Sequence, residues 1–116
     1  MAEPKNPTRR YERVKLKKGL AVGWRSGQLR GLNRAEIVAL GGLFIRTAEP
    51  APVGASVELA FNLPDGEVRA RAVVRNSEPG EGMGVEFVGM DQVARSRLQA
   101  AMKRLLTGFE QLHAKK

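Results

Sequence analysis

The sequence contains no cysteine and no long apolar run, and each absence removes a class of protein. Without cysteine the chain forms no disulfides and has no thiolate chemistry, which is compatible with a reducing compartment. No stretch of about 18 apolar residues occurs, so we expect no transmembrane helix. The N-terminal segment MAEPKNPTRR lacks the apolar core of a secretion signal. We therefore expect a cytoplasmic protein.

The chain also lacks the residue combinations that catalysis and metal binding need. His113 is the only histidine and lies close to the C-terminus. Zinc sites rely on cysteine and histidine, and hydrolytic triads need a placed histidine. Neither GxxxxGK[ST] nor a GxGxxG that follows a strand is present. Glu58, Glu67 and Glu86 fall at alternating strand positions, where we expect solvated side chains. We expect no enzyme, no metal site and no resident cofactor, and favour a binding or regulatory module.

Positive charge is plentiful but unevenly distributed. The formal net charge is +8, and residues 1–34 hold ten lysines and arginines against two glutamates. The rest of the chain carries ten charges of each sign. A basic first third is typical of proteins with an anionic partner, although a solvated, solubilising segment has the same composition.

Apolar residues in the middle of the chain follow the two-residue period of half-buried strands. Pro64-Asp65-Gly66 predicts a hairpin turn, and Gly41-Gly42 predicts a tight turn, a bulge or a close backbone approach. We expect Trp24 to pack in the core or at a barrel end. At 116 residues, the pattern predicts one small antiparallel barrel or sandwich. The predicted strands are residues 20–25, 32–40, 43–47, 56–63, 67–76 and 83–89.

The C-terminal segment has the period of an amphipathic helix, predicted over residues 91–112. Asp91 is a plausible N-cap, and no proline follows it. The apolar side chains form one stripe that either packs on the barrel or docks on a partner, a second copy of this chain included. The stripe consists of Ala94, Leu98, Ala101, Leu105, Phe109 and Leu112.

The segment RRYERV, residues 9–14, has a specific chemical pattern. Arg9 and Arg13 are four residues apart with Arg10 between them, and guanidinium groups suit bidentate phosphate contacts and stacking on bases. Together with GGLFIRT, the hairpin, the GVEF strand and the terminal helix, this segment resembles the PilZ domain over roughly residues 9–107. The resemblance implies a mainly β fold, a six-stranded antiparallel barrel with a C-terminal α-helix. PilZ domains are found in bacteria, so the resemblance also implies a bacterial protein. Many PilZ domains are receptors for the second messenger cyclic di-GMP.

The resemblance divides the chain into a flexible tail and one domain. The tail would cover residues 1–8 and the domain residues 9–112, with an arm at 9–19, a barrel at 20–89 and the helix at 91–112. In the family, an RxxxR motif on the arm grips phosphates and stacks on guanine. Arg9 and Arg13 fill that motif here, and Arg10 matches a common additional arginine.

The second family motif, (Asp/Asn)xSerxxGly, is only partly kept. Gly42 fills the glycine, while the Asp/Asn position is Ile37 and the Ser position is Ala39. In the family these two polar side chains hold the guanine edge. Their loss predicts binding weaker by roughly 3–6 kcal/mol, or about 10²–10⁴-fold. The ligand-binding positions implied by the resemblance are thus Arg9, Arg10, Arg13 and Gly42. We expect the protein to bind cyclic di-GMP weakly or not at all.

Three functions stay open, and they are given in order of preference. The first is an adaptor that binds another protein in motility, pilus biogenesis, polarity or surface polysaccharide control. The second is a genuine cyclic di-GMP receptor whose pocket has shifted, with Arg46, Arg75 or Asn33 supplying the missing polar groups. The third, a nucleic-acid-binding barrel, rests on the sequence pI near 10.6, and Tyr11 and Trp24 make thin stacking platforms for it.

Overall fold

The computed structural model describes residues 13–114, with side chains described as far as Leu105 except that of Lys17. Six strands precede one helix. The elements are β1 (Arg13–Ser26), β2 (Leu29–Ala39), β3 (Gly42–Arg46), β4 (Ser56–Leu63), β5 (Gly66–Glu78), β6 (Gly82–Gly89) and α1 (Gln92–Ala114).

The strands form a closed antiparallel barrel in the order β1-β2-β3-β6-β5-β4. Closure comes from β1, which pairs with β2 along its length and with β4 through Val22 to Arg25. The chain crosses over once between non-neighbouring strands, from β3 to β4, and β6 then returns beside β3. The predicted six-stranded barrel with a C-terminal helix is confirmed.

The first strand is longer than predicted. The sequence pattern placed it at residues 20–25, whereas β1 begins at Arg13 and so includes residues 13–19 of the expected arm. Val14 and Leu16 pack against the core while Lys15 faces outward, which is the alternation of a strand. The run of lysines concealed this alternation. The register of β1 against β2 shifts between Lys15 and Leu20, where Gly19 has a φ of 74°.

The inner face of the barrel is filled by aliphatic side chains with two buried aromatic rings from β4 and β6. Phe61 and Phe87 stack with ring centroids 6.5 Å apart. Trp24 is only 5% exposed, and its indole Nε1 donates to Oδ1 of Asn33 at 2.9 Å. The expectation that Trp24 packs in the core is confirmed, and its one polar atom is satisfied.

The helix closes the barrel with the N-terminal half of its apolar stripe. The backbone N of Ala94 donates to Oδ1 of Asp91 at 2.8 Å, so the predicted N-cap is confirmed. Ala94, Leu98 and Ala101 are buried, as is Met102, which the stripe did not include. Phe109 and Leu112 lie outside the residues whose side chains are described. Across the described chain, no helix combines the length and the hydropathy needed to cross a membrane.

Candidate functional site

The positions of the two family motifs meet on the outer surface where β1, β2, β3 and β6 run side by side. Arg13 pairs with Ala39, Ala39 with Gly42, and Gly42 with Glu86, so four strands contribute to one row. We call this the motif row. Arg13 and Glu86 are exposed, while Ala39 and Gly42 are half-buried. The predicted positions Arg9 and Arg10 lie outside the described residues.

Gly42 is required by the packing of β3 against β6. A methyl group at this position would overlap the carbonyl oxygen of Val85, because the two backbones approach too closely for any side chain. Leu40 and Gly41 form the tight turn between β2 and β3, and the carbonyl of Gly41 accepts a hydrogen bond from N of Phe87 at 2.8 Å. The predicted close approach at the glycine pair is therefore confirmed as a feature of the fold.

The neighbouring row along the same surface is apolar at its centre. Lys15 pairs with Ile37, Ile37 with Phe44, and Phe44 with Gly84. Ile37 and Phe44 are half-buried, so they present a partly exposed apolar surface beside the motif row. The two places where the family carries an Asp/Asn and a Ser are thus hydrocarbon here, with lysine and arginine at their β1 edge.

The three side chains considered as replacements for those polar groups differ in position. Asn33 is bound to Trp24, and Arg46 lies 3.9 Å from a carboxylate oxygen of Glu36. Arg75 donates from Nε to Glu86 at 2.6 Å, which brings its guanidinium to the end of the motif row. Of the three, only Arg75 reaches this row.

The outward carboxylates are exposed, as their strand positions predicted, and each is also paired with an arginine. Glu58 bonds to Arg25, and Glu67 accepts from Arg69 at 3.1 Å. Exposed pairs of this kind each contribute about 0–1 kcal/mol, so they order the surface more than they stabilise it. In the part of the chain with described positions, no group of three His, Asp or Glu side chains is placed to hold a metal ion.

A concave surface that the sequence did not predict lies over β1, β4 and β5, at the other end of β1 from Arg13. It is an open groove of about 920 Å³, bordered mainly by arginines and small residues. The arginines alternate along separate strands, and only closure of the barrel brings them together. The sequence signal was Gly23, a glycine inside a strand.

Comparison with known proteins gives a family and a fold. The family model described as PilZ domain matches residues 7–104, which is most of the chain. A solved structure, the Bacillus subtilis inhibitor of motility MotI/DgrA, superposes with a TM-score of 0.69 at 22% sequence identity. The match covers 85% of this chain and 52% of that one, so this chain spans about half the neighbour's length. No match was found among curated proteins.

Proposed function

Because this chain belongs to the PilZ domain family, we propose that it is a small bacterial regulatory adaptor. It works in the cytoplasm mainly through contacts with another protein, and it binds cyclic di-GMP weakly or not at all. The observation that carries the proposal is the motif row. Ala39 separates Arg13 from Gly42 there, and Ile37 occupies the centre of the next row.

The energetic argument concerns the guanine edge of a cyclic dinucleotide. A ligand donor that loses its acceptor on the protein also loses its hydrogen bond to water, and this costs about 1–3 kcal/mol per group. A methyl group at Ala39 and a butyl group at Ile37 offer no acceptor. Arginine contacts to phosphate alone are exposed, screened by salt and weak.

The process proposed for the adaptor is motility or another surface function of the cell. The MotI/DgrA neighbour is named an inhibitor of motility, and it shares the barrel fold. Since this chain spans about half of that protein, the partner and the direction of the effect are part of the proposal. A homodimer through α1 is a further prediction, and it would have to use the surface that Leu98 and Met102 leave free.

Isothermal titration calorimetry of cyclic di-GMP into the protein tests the proposal, at about 0.05 M and about 0.3 M salt. We expect no heat, or weak heat that disappears at the higher salt. Saturable binding at low micromolar concentration or tighter would contradict it. The matched control compares the partner proteins captured by the natural chain and by Arg9→Ala/Arg13→Ala. An adaptor keeps its partner when these arginines are removed.

A receptor with a shifted pocket is the second candidate, and the position of Arg75 favours it. Its guanidinium reaches Glu86 in the motif row, across Gly42 from Arg13. A receptor of this kind requires that Arg13→Ala and Arg75→Ala each abolish saturable binding. Binding that survives Arg75→Ala would remove this candidate.

A further inference from the structure

The arginine groove over β1, β4 and β5 has a regular charge pattern. Arg30 of β2 pairs with Arg25 of β1, Arg25 pairs with Glu58 of β4, and Glu58 pairs with Arg71 of β5. All four side chains are exposed on the outer face. Adjacent strands lie about 4.8 Å apart, so the backbones at Arg30 and Arg71 are separated by about 14 Å along the sheet. The pattern across the strands is therefore two positive charges, one negative charge and one positive charge.

Two of these arginines have no acidic partner in the described structure. Arg25 is bonded to Glu58, and Arg69 to Glu67. Among the residues with described side chains, neither Arg30 nor Arg71 forms an ion pair. Arg25 and Arg30 also stand opposite each other in register, and like charges in that arrangement destabilise a sheet. The free groove therefore carries unbalanced positive charge that an anionic partner would neutralise.

The base of the groove contains Gly23, which has no side chain to fill the space and which the fold does not require. Gly23 pairs with Ala60 of β4, which pairs with Arg69 of β5. A Cβ at Gly23 would meet only the carbonyl oxygen of Ala60, at an ordinary distance of 3.9 Å, and its φ is not in the left-handed region. Glycine inside a strand lowers stability relative to other residues. Its presence leaves open the space between the arginines.

The size and charge of the groove discriminate among anions. The three strand spacings between Arg30 and Arg71 suit two separate anionic groups better than one phosphate. Trp24, the one aromatic side chain among the described residues that border the groove, is too buried to stack on a base, which disfavours a nucleic-acid strand. An extended peptide of about four residues covers about 14 Å. Its carboxylates would contact Arg30 and Arg71, and its small or apolar side chains would lie over Gly23 and Ala60.

We propose that this groove binds an extended acidic segment of a partner protein, with carboxylates at alternate positions and apolar side chains between them. The inference rests on the adaptor function proposed above and names the chemistry of the partner. The segment would cross β1, β4 and β5 at the end of β1 opposite to Arg13, and β3 with Gly42 takes no part in the groove. Binding of a ligand at the motif row and binding at the groove are therefore separable.

The test is a titration followed by amide chemical shifts in NMR spectra. The probe is a decapeptide that alternates glutamate and valine, with a lysine-valine decapeptide and a decathymidylate as comparisons. We expect shifts centred on the amides of Gly23, Ala60 and Arg71 with the acidic peptide, and none there with the basic one. The acidic peptide should also bind more tightly than the oligonucleotide.

Variants separate charge from shape. Arg30→Glu/Arg71→Glu should weaken binding of the acidic peptide by about tenfold or more. Lys18→Glu/Lys103→Glu, which reverses two charges at exposed positions outside the groove, should leave binding unchanged. Gly23→Val should block binding without removing any charge. Ala21→Val makes a comparable change two residues along the same face of β1, outside the groove, and should bind normally.

Three results would overturn the proposal: peptide shifts that map elsewhere, loss of affinity in Lys18→Glu/Lys103→Glu equal to that in the groove variant, or normal binding by Gly23→Val. The adaptor proposal fails on a different result, tight cyclic di-GMP binding dependent on Arg13. If a partner is identified and Arg30→Glu/Arg71→Glu still captures it fully, the adaptor function stands and the groove assignment is wrong.

Discussion

Gly42 and Gly23 both lie in strands with an ordinary φ, but the fold needs only the first. Gly42→Ala forces β3 away from Val85, and we expect a loss of about 3 kcal/mol in the free energy of unfolding. Gly23→Ala should raise it by about 0.5–1 kcal/mol, because alanine has less backbone freedom to lose. Urea denaturation of the two variants checks this, and equal effects would show that the close approach at Gly42 is not the cause.

Restoring the two missing polar groups tests why cyclic di-GMP affinity is expected to be low. Ile37→Asp/Ala39→Ser places a carboxylate and a hydroxyl between Arg13, Lys15 and Gly42. We expect cyclic di-GMP affinity to rise by about 10²-fold or more, from two added hydrogen bonds. Calorimetry measures the change.

The matched control adds Arg13→Ala to the restored variant and should remove most of the gain. If the restored variant binds no better than the natural chain, some feature other than Ile37 and Ala39 limits affinity. The identities of these side chains were readable from the sequence. Their position beside Arg13 follows from the register of β1 against β2, in which Arg13 pairs with Ala39 and Lys15 with Ile37. The sequence pattern had not shown that residues 13–15 belong to a strand.

The helix α1 packs on the barrel through Leu98, which is fully buried and belongs to the same core cluster as the strand residues. Leu98→Ala should lower the free energy of unfolding by about 2–5 kcal/mol, since it leaves a cavity where helix and barrel meet. Val93, in the first turn of the same helix, is 59% exposed, and Val93→Ala should change stability by less than about 0.5 kcal/mol. Thermal unfolding followed by circular dichroism distinguishes them; similar losses would mean that the helix does not close the barrel.

The elements also show where pattern reading succeeds and where it fails. The hairpin of β4 and β5 was predicted closely, because Pro64-Asp65-Gly66 marks the turn and both strands alternate cleanly. The start of β1 was missed because three of the four residues from 15 to 18 are lysines. A solvated strand edge and a flexible basic arm have the same local composition, and only pairing with β2 separates them.

As a unit, the barrel and the helix share one core, and we expect them to unfold together. Trp24 is the only tryptophan and lies inside the barrel, so its fluorescence reports on the strands. Ellipticity at the helical minimum reports on α1, whose Leu98 and Met102 belong to the same cluster of buried side chains. Denaturation curves from the two signals should coincide. Loss of helical signal before tryptophan signal would show that α1 docks as a separate unit.

The sequence by itself determined the class of the protein. The two-residue period, the turn residues and one amphipathic stripe were sufficient for a small antiparallel barrel or sandwich with a helix, because local patterns set which face of each element is apolar. The resemblance to the PilZ domain then selected the barrel. The missing polar groups at Ile37 and Ala39 were equally visible. These properties depend on residue identity and short spacing alone.

Only the tertiary structure decided which distant residues share a surface. Arg30 lies in β2 and Arg71 in β5, so they are far apart in sequence. They border one groove because β1 pairs with β4 and closes the sheet. Along β5 alone, Arg69 and Arg71 are the outward positions of an alternating strand. Strand order and register are long-range choices made by packing, so the groove and its charge pattern appear only once the barrel is closed.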